Sequence, residues 1–110
     1  MIVEHRTYTL KALHTGEFLN LYERAALPLQ IKYLGHMIGF YVSEIGPLNE
    51  VVHLWGFASL AERERRRSQM EADPAWALYR QALQELDVVI EQNTKILRST
   101  SFSPTVNFQT

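Results

Sequence analysis

A chain of 110 residues with 46% hydrophobic and 21% charged residues can bury one core, and it has no room for two ordinary domains. A net charge of −1 gives no electrostatic basis for binding nucleic acid or an anionic membrane, and the lack of cysteine excludes disulfides, a thiolate nucleophile and sulfur-ligated zinc. Since no apolar run approaches the roughly 18 residues of a membrane span, we expect one cytoplasmic domain over residues 1–110.

The N-terminal third of the chain predicts a strand followed by an interrupted helix. Residues 2–10 are rich in β-branched and aromatic residues, as strands are. Pro28 lacks an amide hydrogen and crowds the carbonyl of Arg24, so we expect the helix to kink or split near residues 26–27. Gly35 suits the left-handed position that ends a helix. The apolar stripe that predicts this helix consists of Phe18, Tyr22, Ala25, Ala26, Leu29 and Tyr33.

The middle of the chain predicts a β-hairpin and the start of a second helix. Residues 36–45 and 49–57 have the composition of strands, and GPLN at 46–49 supplies the turn between them. Ser59 and Glu62 follow with the spacing of a capping box, in which each side chain satisfies a free amide at the helix start.

Asp73 and Pro74 predict a break within the second helix. Asp73 can cap a new segment, and Pro74 suits its first position. Residues 88–97 then predict the last strand, and the tail from Arg98 is expected to be extended. The apolar stripe after the break consists of Trp76, Tyr79, Leu83 and Leu86.

This order of elements, β-α-β-β-α-β, predicts an α+β fold of the ferredoxin-like type, with an antiparallel sheet and two helices on one of its faces. We expect Val3, Val52 and Leu54 to face the helices. The other face would then be open and too aromatic to remain in water, so two such sheets are expected to face each other in a homodimer or a larger oligomer. Residues expected on that open face are Glu4, Arg6, Tyr8, Tyr41, His53, Trp55 and Phe57.

Six short segments, in this order, resemble the NIPSNAP family of the dimeric α/β-barrel superfamily. They are EHRTYTL at 4–10, SEIG at 43–46, NEVVHLW at 49–55, SLAERERRR at 59–67, DPAW at 73–76 and FSP at 102–104. The resemblance implies a ferredoxin-like subunit, a homodimer whose sheets form a barrel, and a pocket within or beside that barrel. It does not imply one activity, because superfamily relatives include cofactor-free monooxygenases, haem enzymes and proteins without established chemistry.

The expected open face also supplies the candidate ligand-binding residues. Glu4 and Arg6 are two positions apart on a strand, so their side chains can meet. Arg6 could bind a carboxylate and His53 could act as an acid or a base. An alternative is a structural ion pair, a hydrogen-bonded interface histidine and an aromatic dimer core. The candidate site consists of Glu4, Arg6, Tyr8, Tyr41, His53 and Trp55.

No metal or cofactor is assigned from the sequence. Four scattered histidines without cysteine have no metal-ligand spacing, although His53 or His36 could serve as a haem ligand. The charged run at 62–67 mixes both signs and predicts a solvated helix face. The sequence therefore favours a homodimer that binds a small polar or aromatic molecule. The alternatives are an enzyme of the cofactor-free monooxygenase or isomerase kind and a non-catalytic structural dimer.

Overall fold

The computed structural model describes residues 1–104 and has the predicted order of elements. Four antiparallel strands are connected by two helical regions, each of which is interrupted once, and by a hairpin between the second and third strands. No helix in this part of the chain is long and apolar enough to cross a membrane. The elements are β1 (Ile2–Leu10), α1 (Thr15–Leu21), a π-helical segment (Tyr22–Ala26), α2 (Leu27–Tyr33), β2 (His36–Val42), β3 (Glu50–Phe57), α3 (Leu60–Ala72), α4 (Pro74–Leu86) and β4 (Val89–Arg98).

The sheet has the strand order β2-β3-β1-β4, which confirms the ferredoxin-like prediction. β1 lies at its centre and pairs antiparallel with both β3 and β4. Arg6 lies opposite His53 on β3 and opposite Thr94 on β4. Glu4 lies opposite Trp55. The register therefore places the predicted site residues of β1 and β3 side by side on one face.

The predicted orientation of this sheet was wrong. The helices cover the face that carries Glu4, Tyr8, His53, Trp55 and Phe57, all of which are buried in the single chain. Trp55 is only 1% exposed, whereas Tyr41, on the opposite face, is 54% exposed. Val52 and Leu54, which were expected beneath the helices, are instead partly exposed.

The side chains of α3 explain this orientation. Arg63 and Arg67 lie one turn apart on the side of α3 that faces the sheet. The Nε of Arg63 lies 2.9 Å from the Glu4 carboxylate, and a guanidinium nitrogen of Arg67 lies 3.9 Å from it. A buried carboxylate requires such partners. The polar face of the sheet is therefore compatible with the interior, because α3 brings the opposite charges.

The first helix is interrupted just before Pro28, as predicted: the π-helical segment ends at Ala26 and α2 begins at Leu27. The amide of Leu27 donates to the carbonyl of Tyr22, five residues earlier, which is the hydrogen bond of a π-helix. Pro28 follows directly and can donate no amide hydrogen. Gly35 ends the second segment with a φ of 89°, as predicted.

The second helix begins and breaks at the predicted residues. The Ser59 hydroxyl accepts from the Glu62 amide at 3.1 Å, but the Glu62 carboxylate binds Arg65 and Arg66, so half of the capping box forms. Asp73 accepts from the Ala75 amide at 2.9 Å, which confirms it as a cap. Its other oxygen accepts from the Tyr33 hydroxyl at 2.7 Å. This bond joins the α3–α4 corner to the end of α2.

The uncovered face of the sheet mixes aliphatic and polar side chains. On β2, Gly39 has no side chain, and the ring of Tyr41 lies over its backbone. β2 ends at Val42, earlier than predicted, and an irregular pairing interrupts it between Met37 and Gly39. Alternation along the central strands assigns this face to Val3, His5, Thr7, Thr9, Glu50, Val52 and Leu54.

Candidate functional site

A cavity of about 830 Å³ lies between the helices and the sheet. The sheet contributes residues from β1 and β4, and the helical side contributes residues from the π-helical segment, α2, α3 and α4. Its aromatic walls come from Tyr8, Tyr22, Trp76 and Tyr79, and its polar side chains include Arg6, Gln30, Arg67 and Gln92. The cavity thus combines aromatic surface with cationic and amide groups, as small-molecule sites do.

Arg6 projects from β1 into this cavity. Its guanidinium donates to the Glu4 carboxylate at 2.9 Å and to the Tyr8 hydroxyl at 3.1 Å. Burial lowers the pKa of Arg6, but its contacts with Tyr8 and Glu4 outweigh burial and raise it above the ordinary value. Arg6 is therefore a fixed cation at the cavity surface, oriented by two hydrogen bonds.

Glu4 lies beneath Arg6 and is completely buried. Burial raises the pKa of Glu4, but the hydrogen bonds from Arg63 and Arg6 lower it by more. The pKa of Glu4 therefore lies below its ordinary value of 4.5. The carboxylate is thus ionised, with guanidinium groups of Arg6, Arg63 and Arg67 around it. One buried carboxylate cannot neutralise three cations, so this end of the cavity attracts anions.

The exposed carboxylates beside α3 compensate for only part of that charge. Glu64 contacts Arg63, and Glu71 lies 3.5 Å from Arg67. Both glutamates have more than half of their side chains exposed, so water screens these pairs. Arg67 lines the cavity and Arg63 does not. Arg6 and Arg67 are therefore the cations of the Glu4 cluster that a ligand in the cavity would meet, and Arg80 of α4 also lines the cavity.

His53 is buried among aromatic rings and does not belong to the cavity lining. The Trp55 indole donates to its Nδ1 at 2.8 Å, so the neutral ring carries its proton on Nε2. Burial, followed by the charge of Arg6, lowers the pKa of His53 to about 3. The ring stacks on Phe40 at 4.7 Å and contacts Tyr8 edge-on at 5.1 Å. At neutral pH His53 is thus an uncharged support for the cavity wall.

Tyr22 and Gln30 contribute buried polar groups that the sequence reasoning did not assign to the site. They are 3% and 4% exposed, yet the Tyr22 hydroxyl and the Gln30 Oε1 have no hydrogen-bond partner among residues 1–104. Burial raises the pKa of Tyr22, so its hydroxyl stays protonated. A signal existed in the sequence: Gln30 lies four residues after Ala26 and eight after Tyr22, on the apolar stripe.

The structure brings five of the six predicted site residues together and separates the sixth. Glu4, Arg6, Tyr8, His53 and Trp55 share the covered face, but only Arg6 and Tyr8 line the cavity. Tyr41 lies on the opposite face of the sheet.

The arginines of α3 were missed because the charged run at 62–67 was predicted to be solvated. The spacing of Arg63, Arg67 and the buried Met70 marks the side of α3 that faces the sheet.

In the described part of the chain, no group of three or more His, Cys, Asp or Glu residues could hold a metal ion.

Comparison with known proteins identifies relatives of this chain. An uncharacterised NIPSNAP-like domain protein from Burkholderia xenovorans is 39% identical, with a TM-score of 0.86 over 96% of this chain and 90% of that one. A proposed antibiotic biosynthesis monooxygenase from Nitrosomonas europaea is 14% identical, with a TM-score of 0.66 over 90% of this chain and 98% of that one. The second likeness shows a shared fold alone.

Curated NipSnap proteins match over part of their length. The mouse protein NipSnap homolog 3B is 34% identical over 74 residues, which are 66% of this chain and 29% of that protein. A NipSnap homolog from Dictyostelium discoideum is matched over 20% of its length, so this chain spans less than a third of either relative. The sequence model of the NIPSNAP family matches residues 3–104, and the chain therefore belongs to the NIPSNAP family.

Proposed function

We propose that this NIPSNAP-family chain is a homodimer that binds a small organic acid in the cavity between its helices and its sheet. The observation that carries the proposal is the position of Arg6 and Arg67 at the wall of that cavity. Both contact one buried carboxylate, Glu4. The charged residues that line the cavity are three arginines and two carboxylates, a formal excess of one positive charge: Arg6, Arg67, Arg80, Glu71 and Asp87. An anionic group of a ligand would complete this charge balance.

The size and lining of the cavity support a small-molecule ligand. A volume of about 830 Å³ falls within the range of roughly 300–1,000 Å³ that ligand pockets occupy. The rings of Trp76 and Tyr79 pack against each other at 5.1 Å on α4 and offer an aromatic surface. An aromatic or other flat apolar body attached to an acid group would therefore match both halves of the cavity.

The uncovered face of the sheet supports the homodimer. Val52 and Leu54 lie at its centre, and almost all of β4 is exposed along its length. The exposed apolar side chains of this face, such as Tyr41 and Leu97, favour a partner surface, and a second copy of the same face supplies one by two-fold symmetry. The aromatic face proposed from the sequence for this role is covered by the helices instead.

Binding is favoured over catalysis as the function of this cavity. His53 was the residue of the predicted site that could act as an acid or a base. His53 does not line the cavity, and its lowered pKa keeps it neutral. The proposal therefore assigns the cavity a recognition role.

Arg6→Met tests the recognition of the acid. The substitution keeps the apolar stem and removes the guanidinium, and Arg63 continues to hold Glu4. We expect binding of a small aromatic acid, found in a thermal-shift panel and measured by calorimetry, to weaken about a hundredfold.

Arg63→Met is the matched control, since it also removes a guanidinium from Glu4 but lies outside the cavity lining. Equal losses in both variants would show that the arginines act through Glu4 and the fold. A panel of aromatic and keto acids in which none binds would overturn the proposed function.

Leu54→Lys tests the homodimer. The new ammonium would lie at the centre of the proposed interface, where burying an unpaired charge is costly. Light scattering should find the parent chain as a dimer and the variant as a folded monomer. A parent chain that stays monomeric at micromolar concentration would contradict the homodimer.

A further inference from the structure

Two residues that line the cavity, Tyr22 and Gln30, each carry a buried polar atom without a hydrogen-bond partner in the described range 1–104, namely the Tyr22 hydroxyl and the Gln30 carbonyl oxygen. Both side chains are more than nine-tenths buried. Buried polar atoms are nearly always paired, by protein groups, water or a ligand. Two such atoms on the same cavity indicate a place where a ligand completes the hydrogen bonds.

The surroundings of Tyr22 hold its hydroxyl in this unpaired position. Its ring packs on Phe40 at 4.7 Å and meets His53 at 5.7 Å and Tyr79 at 6.2 Å. These rings leave the phenol little freedom to turn towards another partner. Tyr22 is the first residue of the π-helical segment, and segments of this kind occur frequently at functional sites.

We propose that Tyr22 and Gln30 form a subsite for a hydroxyl group, so that the cavity takes hydroxylated aromatic carboxylic acids. The inference rests on the proposed function, because Arg6 and Arg67 would bind the carboxylate. The Tyr22 hydroxyl donates a hydrogen bond and the Gln30 oxygen accepts one. A ligand hydroxyl offers the complementary acceptor and donor. A ketone or an ether could satisfy only Tyr22, and an ammonium could satisfy only Gln30.

Matched pairs of acids test the subsite. The probes are 6-hydroxy-2-naphthoate with 2-naphthoate, and 4-hydroxybenzoate with benzoate, which differ by one hydroxyl at two molecular lengths. The methyl ether of the longer hydroxy acid accepts a hydrogen bond but cannot donate one. Calorimetry on the parent protein should show about tenfold tighter binding of at least one hydroxy acid than of its unsubstituted partner. The ether should bind more weakly than that hydroxy acid.

Tyr22→Phe and Gln30→Met each remove one half of the proposed subsite with little change in volume. In either variant the preference for the hydroxy acid over the unsubstituted acid, both measured on that variant, should fall to below about twofold. Tyr41→Phe is the control, since Tyr41 lies on the opposite face of the sheet and should leave the preference intact. Circular dichroism verifies that each variant is folded.

The outcomes separate this inference from the proposed function. If the acids bind with no preference for the hydroxyl, or if the preference persists in Tyr22→Phe and Gln30→Met, the subsite is overturned and the acid-binding cavity stands. An ether that binds as tightly as the hydroxy acid overturns the role of Gln30 as acceptor. If none of these acids binds at millimolar concentration, the proposed function itself is overturned.

Discussion

The two faces of the central strands differ in a way that simple polarity does not predict. The face beneath the helices carries a carboxylate, a guanidinium and an imidazole, at Glu4, Arg6 and His53. The face without a cover carries aliphatic and hydroxyl side chains, such as Val52 and Thr7, and its ionisable groups, such as Lys95, are at least partly exposed. Burial therefore follows the presence of partners rather than the lack of charge, since each buried polar group on the covered face meets an opposite charge or a ring.

The character of α3 accounts for this difference. Met70 is its one buried residue within the described chain, and Arg63 and Arg67 occupy the sheet-facing positions where apolar side chains are usual. A helix of this kind cannot pack on an aliphatic face, because two cations would lie there without a partner. The face with Glu4 supplies the carboxylate, and the aliphatic face is left for another surface.

The largest expected change in stability is at β3, where two neighbouring residues on opposite faces are compared. Trp55→Ala should destabilise the chain by about 4 kcal/mol, because a fully buried indole leaves a large cavity. Leu54→Ala should cost about 1 kcal/mol in the single chain, and any further loss should depend on protein concentration. Urea denaturation of both variants at two concentrations measures these costs. Equal, concentration-independent losses would contradict the assignment of the faces.

Removal of the buried carboxylate should have the next largest effect. Glu4→Gln takes the one buried anion from beside Arg6 and Arg63, and we expect it to cost about 3 kcal/mol. Glu91→Gln is the matched control on the exposed strand β4 and should change stability by less than about 0.5 kcal/mol. Denaturation midpoints of the parent and of both variants at neutral pH measure these two changes in stability. A harmless Glu4→Gln would mean that the arginines do not depend on this carboxylate.

Local signals predicted most of the fold but could not select the covered face. Strand composition, Pro28 and Asp73 located the elements and both helix breaks, because these effects act between neighbours in the chain. Alternation placed Val52 and His53 on opposite faces of the sheet. Which of the two faces the helices cover depended on Arg63, a long-range partner of Glu4. Long-range pairs of this kind are visible in a sequence only as an unusual helix surface.

The candidate site was predicted in part for the same reason. Arg6 and Tyr8 lie two apart on one strand, so their shared face followed from alternation, and both line the cavity. Tyr22 and Gln30 come from the helical side of the cavity. Their placement depends on which face the helices cover and on the turn at the π-helical segment, neither of which alternation reveals.

A pH titration sharpens the comparison through His53, the imidazole of the covered face. Its pKa is about 3 in the folded chain, against an ordinary value of 6.5. Between these values the unfolded chain binds a proton that the folded chain excludes, so stability should fall as pH falls from about 6.5 towards 3. The expected loss between pH 7 and pH 5 is about 2 kcal/mol, measured by urea denaturation.

His53→Asn isolates that contribution. Asparagine keeps an acceptor for the Trp55 indole and does not titrate, so the stability of the variant should change little over the same interval. His14→Gln removes an exposed imidazole and should retain the slope of the parent. The interval above pH 5 is the informative one, because the pKa of Glu4 lies below 4.5 and its effect begins at lower pH. A slope that persists in His53→Asn would show that another group causes it.

The smallest expected effect concerns the unpaired hydroxyl of Tyr22, and it has the opposite sign. Without a ligand, this buried group has no hydrogen-bond partner among residues 1–104, so Tyr22→Phe should raise the stability of the free protein, by up to about 1 kcal/mol. Tyr33→Phe is the matched control, since its hydroxyl donates to Asp73 at 2.7 Å and its removal should lower stability. Thermal and urea denaturation of both variants, free of ligand, compare the two phenols. If Tyr22→Phe destabilises the chain as Tyr33→Phe does, the Tyr22 hydroxyl is already satisfied in the free protein and offers a ligand no unpaired donor.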